Sequence, residues 1–290
     1  MAEIKVTGKL IPTPRGRASI YRLKPPSVTE KAVRTLARRF GMQADTTLGT
    51  LTSDTDTLTY SQGLLEFSMC RASGAIRFID RARWQVDDRK SDLKMEDASA
   101  SRLAQNFVKK NKLAPSGETK FLRAAYLHVA EATRDGKQAS DRTIDVAVAL
   151  QRLVEKIPVD GPGGKVVVYL DHEGQMTGVE KIWREIAGVH RRGKSYRSPE
   201  EALKDMAEHF ESKRGIIEVQ EIRFGYFEDG WRSKQQYLQP AYVIIGMLTS
   251  PDGRTRKRTV YVTPALTNAV GRITPRLEKT SAQRARPASR

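Results

Sequence analysis

The residue types that most often carry chemistry are few in this chain and lie far apart. The four histidines stand at positions 128, 172, 190 and 209, and none of their spacings matches a metal-binding motif such as HxH, HxxxH or HExxH. Cys70 is the single cysteine, which excludes an internal disulfide and a zinc site built on cysteines. It lies in a strand-like run, where a small buried hydrophobic role is typical. The sequence therefore predicts no metal site, no cofactor and no catalytic cysteine.

One glycine-rich segment has the composition of a phosphate-binding loop. It reads Gly161-Pro162-Gly163-Gly164-Lys165. A phosphate loop follows a strand and opens a helix, whereas this segment leads into an apolar, strand-like run. We interpret it as a bulge or as the lead-in to a strand. Carboxylates such as those of Asp87-Asp88 occur at predicted caps and turns, and no GxSxG motif is present, so the sequence predicts a protein that is not an enzyme.

A group of basic and aromatic residues near the C-terminal end is the strongest candidate for a binding surface. Its members are Arg223, Tyr226, Trp231, Arg232, Tyr237, Tyr242, Arg256 and Arg258. Basic and aromatic side chains that interleave on a sheet can stack on bases or sugars. The alternative is that strand alternation buries the aromatic rings in a core and leaves the arginines solvated.

The charge balance restricts the kind of partner. The chain has 51 Lys and Arg against 34 Asp and Glu, a net charge of +17. Such a field attracts nucleic acid, anionic lipid or cell-wall polymer. The densest basic stretches, residues 190–197, 254–258 and 272–290, fit either solvated loops and a flexible tail or a dedicated anion-binding face.

Hydropathy gives an expectation about location. No apolar run is long enough to span a membrane, and residues 1–10 lack the apolar core of a signal peptide. We expect a cytoplasmic protein as the sequence is written, unless an export segment has been removed.

Three helical patterns recur along the chain. Residues 32–40, 103–107 and 202–210 each carry Leu or Met, then Ala, then Phe on one helical face. Ser27 with Glu30 and Ser198 with Glu201 have the spacing of capping boxes. The repetition predicts three amphipathic helices.

A β-hairpin is predicted after each helix. The turns fall at residues 71–74, 171–174 and 250–253, and each ends in glycine, which tolerates a positive φ. A helix followed by an antiparallel sheet, repeated in tandem, predicts an α+β protein with modules at 1–92, 93–194 and 195–271 and a basic flexible tail at 272–290.

Residues 102–186 carry a family resemblance. Asn111-Lys112-Leu113-Ala114-Pro115 follows the helix, residues 168–174 contain the end of a strand and the hairpin turn, and Trp183-Arg184-Glu185-Ile186 ends the segment. This arrangement resembles the PepSY and YycI-like group of cystatin-type modules. The resemblance implies modules that inhibit or regulate partners, often hydrolases or sensor kinases at the cell envelope, without catalysis of their own.

Two functional hypotheses follow. The first is a non-enzymatic regulatory protein that binds a protein partner through a sheet face or a strand edge, because Pro240 marks such an edge beside Tyr242. The second is a binder of nucleic acid or cell-wall polymer through the third module. The oligomeric state is not predicted.

Overall fold

A computed structural model of the protein describes residues 2–8, 11, 14–43, 48–84, 93–132, 135, 138–210, 215–271 and 273. The described part of the chain is largely β-structure, with fifteen strands and three short α-helices. The strands in the first half are β1 Ala2–Val6, β2 Ser19–Leu23, β3 Thr50–Ser53, β4 Thr57–Gln62, β5 Leu65–Cys70, β6 Ile76–Asp80 and β7 Thr119–Ala132. The strands in the second half are β8 Gln138–Val154, β9 Ile157–Asp160, β10 Lys165–Asp171, β11 Met176–Ile182, β12 Ile186–Arg192, β13 Gly215–Phe227, β14 Tyr237–Thr249 and β15 Arg256–Pro264. The helices are α1 Glu30–Ala37, α2 Asp97–Lys110 and α3 Pro199–His209.

The chain divides into two compact units. The larger unit contains residues 19–192 and 225–239, and the smaller contains residues 1–18, 193–224 and 240–290. The predicted module boundary near Lys194 falls beside a division between the two units. The boundary predicted near Asp92 and almost all of the predicted tail lie outside the described residues.

An eight-stranded antiparallel sheet forms the body of the larger unit. Its strand order is β3-β4-β5-β6-β11-β10-β8, with β7 on the outer side of β8. Strand alternation places one row of apolar side chains in register across it, and all are buried: Val148, Val168, Val179, Phe78 and Phe67. Helices α1 and α2 pack against this sheet, and Val33 and Ala104 join the same hydrophobic core. One face of the sheet is therefore the core face.

The predicted tandem of cystatin-like α+β modules is wrong. The first two hairpins do form where predicted, as β5–β6 and β10–β11. However, Val179 of β11 pairs with Phe78 of β6, so the two hairpins belong to one sheet with one core. When two strand edges with the same alternation of apolar and polar residues pair, they form backbone hydrogen bonds and bury apolar surface. Separate modules would leave both edges unpaired.

The three predicted helices are present, with one correction at a terminus. Helix α3 begins with the expected capping box between Ser198 and Glu201. Helix α1 is instead capped by Thr29, whose side chain accepts a hydrogen bond from the backbone N–H of Ala32. Ser27 lies two residues too early to reach the free N–H groups of the first turn.

The smaller unit packs α3 against four strands in the order β1-β13-β14-β15. Strand β1 runs parallel to β13, and β14–β15 is the third predicted hairpin. The core of this unit includes Met206, Ile217 and Ile244. No helix in the described residues is long and apolar enough to cross a membrane.

Candidate ligand-binding cleft

A cleft of about 1170 Å³ opens in the larger unit. Its walls are the end of α2 with the following turn, which contribute residues 105, 106, 108, 109 and 112–119, and the turn between β8 and β9, at residues 152–155. The end of β11 contributes Lys181, and the residue after the strand is Trp183. The cleft therefore lies where α2 stops covering the core face of the sheet.

Two of the bordering turns contain unusual backbone. Lys112, Glu155 and Lys156 have φ values of 50°, 51° and 68°. They are the non-glycine residues with positive φ in the described part of the chain, and Lys112 and Glu155 line the cleft. Such conformations have a free-energy cost that the surrounding structure must offset, and they concentrate at functional sites.

Lys181 lies on the core face of β11, in register with the buried Val166 and two residues beyond Val179. Its side chain is half-buried, and Nζ lies 5.9 Å from the centre of the Trp183 ring. Among the described residues, Nζ makes no hydrogen bond and no ion pair. Burial, together with the charges of Arg39 and Arg152, lowers the pKa of Lys181 to about 8, against the opposing effect of the carboxylates of Glu185 and Glu228.

The acidic groups near Lys181 are engaged elsewhere. Glu185 forms an ion pair with Lys24 at 3.1 Å. The carboxylate of Glu155 acts on Tyr21, whose pKa is raised to about 12 by burial and by that carboxylate. The carboxylates of Glu185 and Glu228 favour the charged form of Lys181 only at a distance, which leaves the ammonium group available to a ligand.

Arg152 and Trp183 form the inner wall. The guanidinium carbon of Arg152 lies 4.5 Å from the Trp183 ring centre, and both side chains are buried. Nη1 of Arg152 donates to the carbonyl of Arg184 at 2.8 Å and lies 3.4 Å from Oε2 of Glu228. Burial lowers the pKa of Arg152, and the carboxylates of Glu228 and Glu118 act in the opposite direction. This cation–π pair fixes the orientation of the ring behind Lys181.

A buried charge cluster holds this wall in place. Glu228 is fully buried, and its Oε1 accepts the backbone N–H of Arg184 at 2.8 Å and faces Nη1 of Arg184 at 3.3 Å. The Arg184 guanidinium also donates to the carbonyls of Asp229, Gly230 and Ser233. The cluster ties residues 228–233 to the ends of β8 and β11, so its contribution is structural.

The chemistry available in the cleft is that of an anion-binding site with an ammonium group that has no partner among the described residues. A nucleophile hydrogen-bonded to a general base is absent from the described lining residues, and the described part of the chain contains no group of three or more potential metal ligands. Lys109 and Lys112 add positive charge at the rim, and Glu118, Glu155 and Glu185 add negative charge.

The residues predicted to form a binding surface do not line this cleft. Tyr226, Trp231, Arg232 and Tyr237 belong to the larger unit, whereas Arg223, Tyr242, Arg256 and Arg258 belong to the smaller one. The structure therefore does not assemble the eight residues on one unit.

The aromatic members of the predicted set are mostly enclosed. Tyr226 and Tyr242 have no exposed surface, and their hydroxyls donate to the carbonyls of Ser19 and Arg197. Tyr237 is half-buried against His190, at 4.7 Å between ring centres. Trp231 is half-buried, and its carbonyl accepts from Cys70, which is buried as the sequence predicts.

The basic members are closer to solvent. Arg232 is exposed and pairs with Asp56. On β13, Arg223 is half-exposed and pairs with Glu221. Arg256 and Arg258 are exposed on β15, where Arg256 pairs with Glu218 at 3.3 Å.

The glycine-rich segment joins β9 to β10. It therefore leads into a strand, as predicted from the sequence. Nζ of Lys165 donates to the carbonyls of Gly161 and Gly163. The lysine therefore closes its own loop and is not directed at a ligand.

Sequence reasoning missed Lys181, Trp183 and Arg152. The available signal was the alternation Val179, Lys181, Trp183, which places a lysine on the apolar side of a predicted strand. The sequence of the hairpin does not show that α2 ends over Lys181.

A scan against protein-family models gives no match, and a search of curated proteins gives none either. The resemblance to PepSY and YycI-like proteins therefore stays a prediction. Among solved structures, the chain is similar to an uncharacterized protein from Eubacterium rectale ATCC 33656, whose crystal structure has been determined. The likeness covers 94% of this chain and 91% of that chain, with 12% identity and a TM-score of 0.54. At this identity it shows a shared fold, and what the protein does must be argued from its own residues.

Proposed function

We propose that the protein is a non-enzymatic binding protein that takes up a segment of a partner protein in the cleft, with a carboxylate of that segment paired to Lys181. One observation carries the proposal. The half-buried ammonium of Lys181 faces the cleft and has no hydrogen-bond or ion-pair partner among the described residues.

The energetics favour an anionic group at this position. Burying an ammonium without a partner is unfavourable, which is why the pKa of Lys181 is lowered. A bound carboxylate would supply the missing partner, and a charge-assisted hydrogen bond contributes about 1.5–3 kcal/mol.

The volume of the cleft accommodates a peptide segment, and its mixed charge does not suit a polyanion. The cleft volume of about 1170 Å³ is large enough for a segment of several residues. The lining mixes Lys109, Lys112 and Lys181 with Glu118, Glu155 and Glu185, so the cleft lacks the uniformly positive lining that favours a densely charged phosphate chain. A peptide can place a single carboxylate on Lys181 and neutral groups against the acids.

Strand β7 offers a continuation of the same binding site. Its first residue, Thr119, lines the cleft, and within the described chain β8 is the strand with which β7 pairs. The strand exposes Phe121, Leu122 and Leu127. An edge strand with exposed apolar side chains can accept an added strand, so a partner segment can run along β7 and end in the cleft.

Selection from a random-peptide library tests this proposal. Peptides retained by the native protein should share an Asp, a Glu or a free C-terminus at one position. Lys181→Met should weaken their binding by about tenfold or more, the factor that corresponds to about 1.4 kcal/mol. Lys110→Met is the matched control, because Lys110 is exposed at the end of α2 and does not line the cleft.

A second candidate is supported by the smaller unit. Arg254, Arg256, Lys257 and Arg258 are all exposed at or beside the start of β15. This basic stretch supports binding of an anionic polymer, the alternative predicted from the sequence. Retention on heparin or nucleic acid that falls steeply with salt, and that is lost when residues 256–258 are replaced by serine, would support this candidate; unchanged retention would contradict it.

A further inference from the structure

The amine of Lys181 is placed as the amine of a nucleophilic lysine would be. A lysine reacts with a carbonyl carbon only as the neutral amine, and it is made neutral by burial and by a neighbouring cation. Lys181 has both features, because its side chain is half-buried and the guanidinium of Arg152 lies over the same Trp183 ring.

A second cation, that of Arg39, also acts on Lys181. Arg39 donates to the carbonyls of Asn111 and Lys112, which brings its charge to the turn that borders the cleft. The opposing carboxylates are those of Glu185 and Glu228, and both are paired with other groups. With a pKa of about 8, about one Lys181 side chain in ten is neutral at pH 7, against fewer than about one in a thousand for an ordinary lysine.

The rim of the cleft indicates which carbonyl compounds would collect there. Lys109 and Lys112 line the same cleft as Lys181. They can hold an anionic group on a molecule whose carbonyl reaches the amine, since opposite charges within a cleft raise the local concentration of ligand.

We propose that Lys181 is a nucleophilic amine that condenses reversibly with small aldehydes carrying a carboxylate. The inference rests on the same cleft as the proposed function. Nitrogen forms a bond to the carbonyl carbon, and the carbonyl oxygen takes up the protons that nitrogen releases. The oxygen leaves as water, and the product is an imine. No oxidant or reductant is consumed.

Reductive trapping with glyoxylate and cyanoborohydride tests the inference. The probe leaves a carboxymethyl group on each lysine that forms an imine, and peptide mapping by mass spectrometry locates it. Labelling of Lys181 should be at least about tenfold faster than that of Lys110 or Lys112, with a rate that rises toward a plateau above about pH 8. If Lys181 were labelled no faster than the exposed lysines, the inference would be overturned.

Lys181→Arg separates this inference from the proposed function. Arginine keeps the positive charge for a peptide carboxylate but cannot form the imine. The variant should lose the fast label and keep peptide binding. Fast labelling in a protein that selects no peptides would support the inference and contradict the proposed function, and peptide binding without fast labelling would do the reverse.

Discussion

Lys181 and Val179 project from the same face of strand β11, yet Val179 is fully buried in the core and Lys181 opens into a cleft. The difference arises because α2 ends at Lys110 and the chain turns away through Lys112, whose φ is positive. A position that alternation assigns to the core thereby becomes a half-buried charged site.

Replacing Lys181 by methionine should stabilise the protein in a pH-dependent way. The folded pKa of about 8 lies below the unfolded value, so burying the ammonium costs stability at pH 7 and below, and this penalty disappears as the pH rises toward 10.5. The advantage of Lys181→Met over the native protein should shrink by about 1–2 kcal/mol between pH 7 and pH 10. Urea unfolding at both pH values measures it, and a constant difference would contradict the assigned environment.

Replacing Glu228 by glutamine should destabilise the larger unit. The change leaves Arg152 and Arg184 buried without a counter-charge, and the Nε atoms of both already lack hydrogen-bond partners within the described chain. Breaking a buried ion pair in this way costs about 3–5 kcal/mol. Glu218→Gln removes an exposed pair with Arg256 and should cost less than about 1 kcal/mol. Equal losses in denaturant unfolding would show that the cluster does not anchor the wall.

Replacing Asp145 by asparagine should remove the loss of stability that the native protein undergoes as the pH rises to neutral. Burial raises the pKa of Asp145 to about 6, its Oδ2 accepts from Thr177, and Oδ1 has no partner among the described residues. The raised pKa means that the penalty is absent below the unfolded pKa and complete above pH 6. The native protein should therefore lose on the order of 2 kcal/mol relative to Asp145→Asn between pH 4 and pH 7.5. Parallel stability curves for the two proteins would refute this.

Replacing Gly161 by alanine should disturb the β9–β10 connection. Gly161 has a φ of +97°, and a Cβ added there would lie 2.5 Å from the carbonyl oxygen of Glu228. Strain and overlap together should cost more than about 2 kcal/mol. Gly188→Ala meets no atom within 4 Å and should change stability little. Thermal unfolding measures the stability of the two variants. If Gly161→Ala lost as little stability as Gly188→Ala, the loop would be able to move away from Glu228.

The local elements could be predicted from the sequence. The turn glycines and the alternating strands located all three hairpins, and the helical periodicity located α1, α2 and α3. The predicted cap residue of α1 was wrong. Ser27 and Thr29 both have side chains that can accept a hydrogen bond from a free N–H, and the sequence does not decide between them.

The long-range arrangement could not be predicted. The pairing of Val179 with Phe78 joins strands about a hundred residues apart, and nothing in either hairpin marks its edge as paired or free. Lys112 and Glu155 take up positive φ without being glycine or asparagine, so the walls of the cleft had no turn signal. Glu228 occupies a turn-like sequence, and its burial between two arginines follows from the tertiary fold alone.

Peptide binding to the Lys181→Met and Lys110→Met variants tests the central claim most directly. A peptide with a single carboxylate, selected on the native protein, would be titrated against both variants by calorimetry, with its amidated or Gln-substituted form as a ligand control. The cleft predicts that Lys181→Met weakens binding of the acidic peptide by about tenfold or more, that Lys110→Met leaves it unchanged, and that the neutral peptide binds both variants equally weakly. Equal affinity of the acidic peptide for both variants would contradict the assignment of Lys181 as the ligand-binding group.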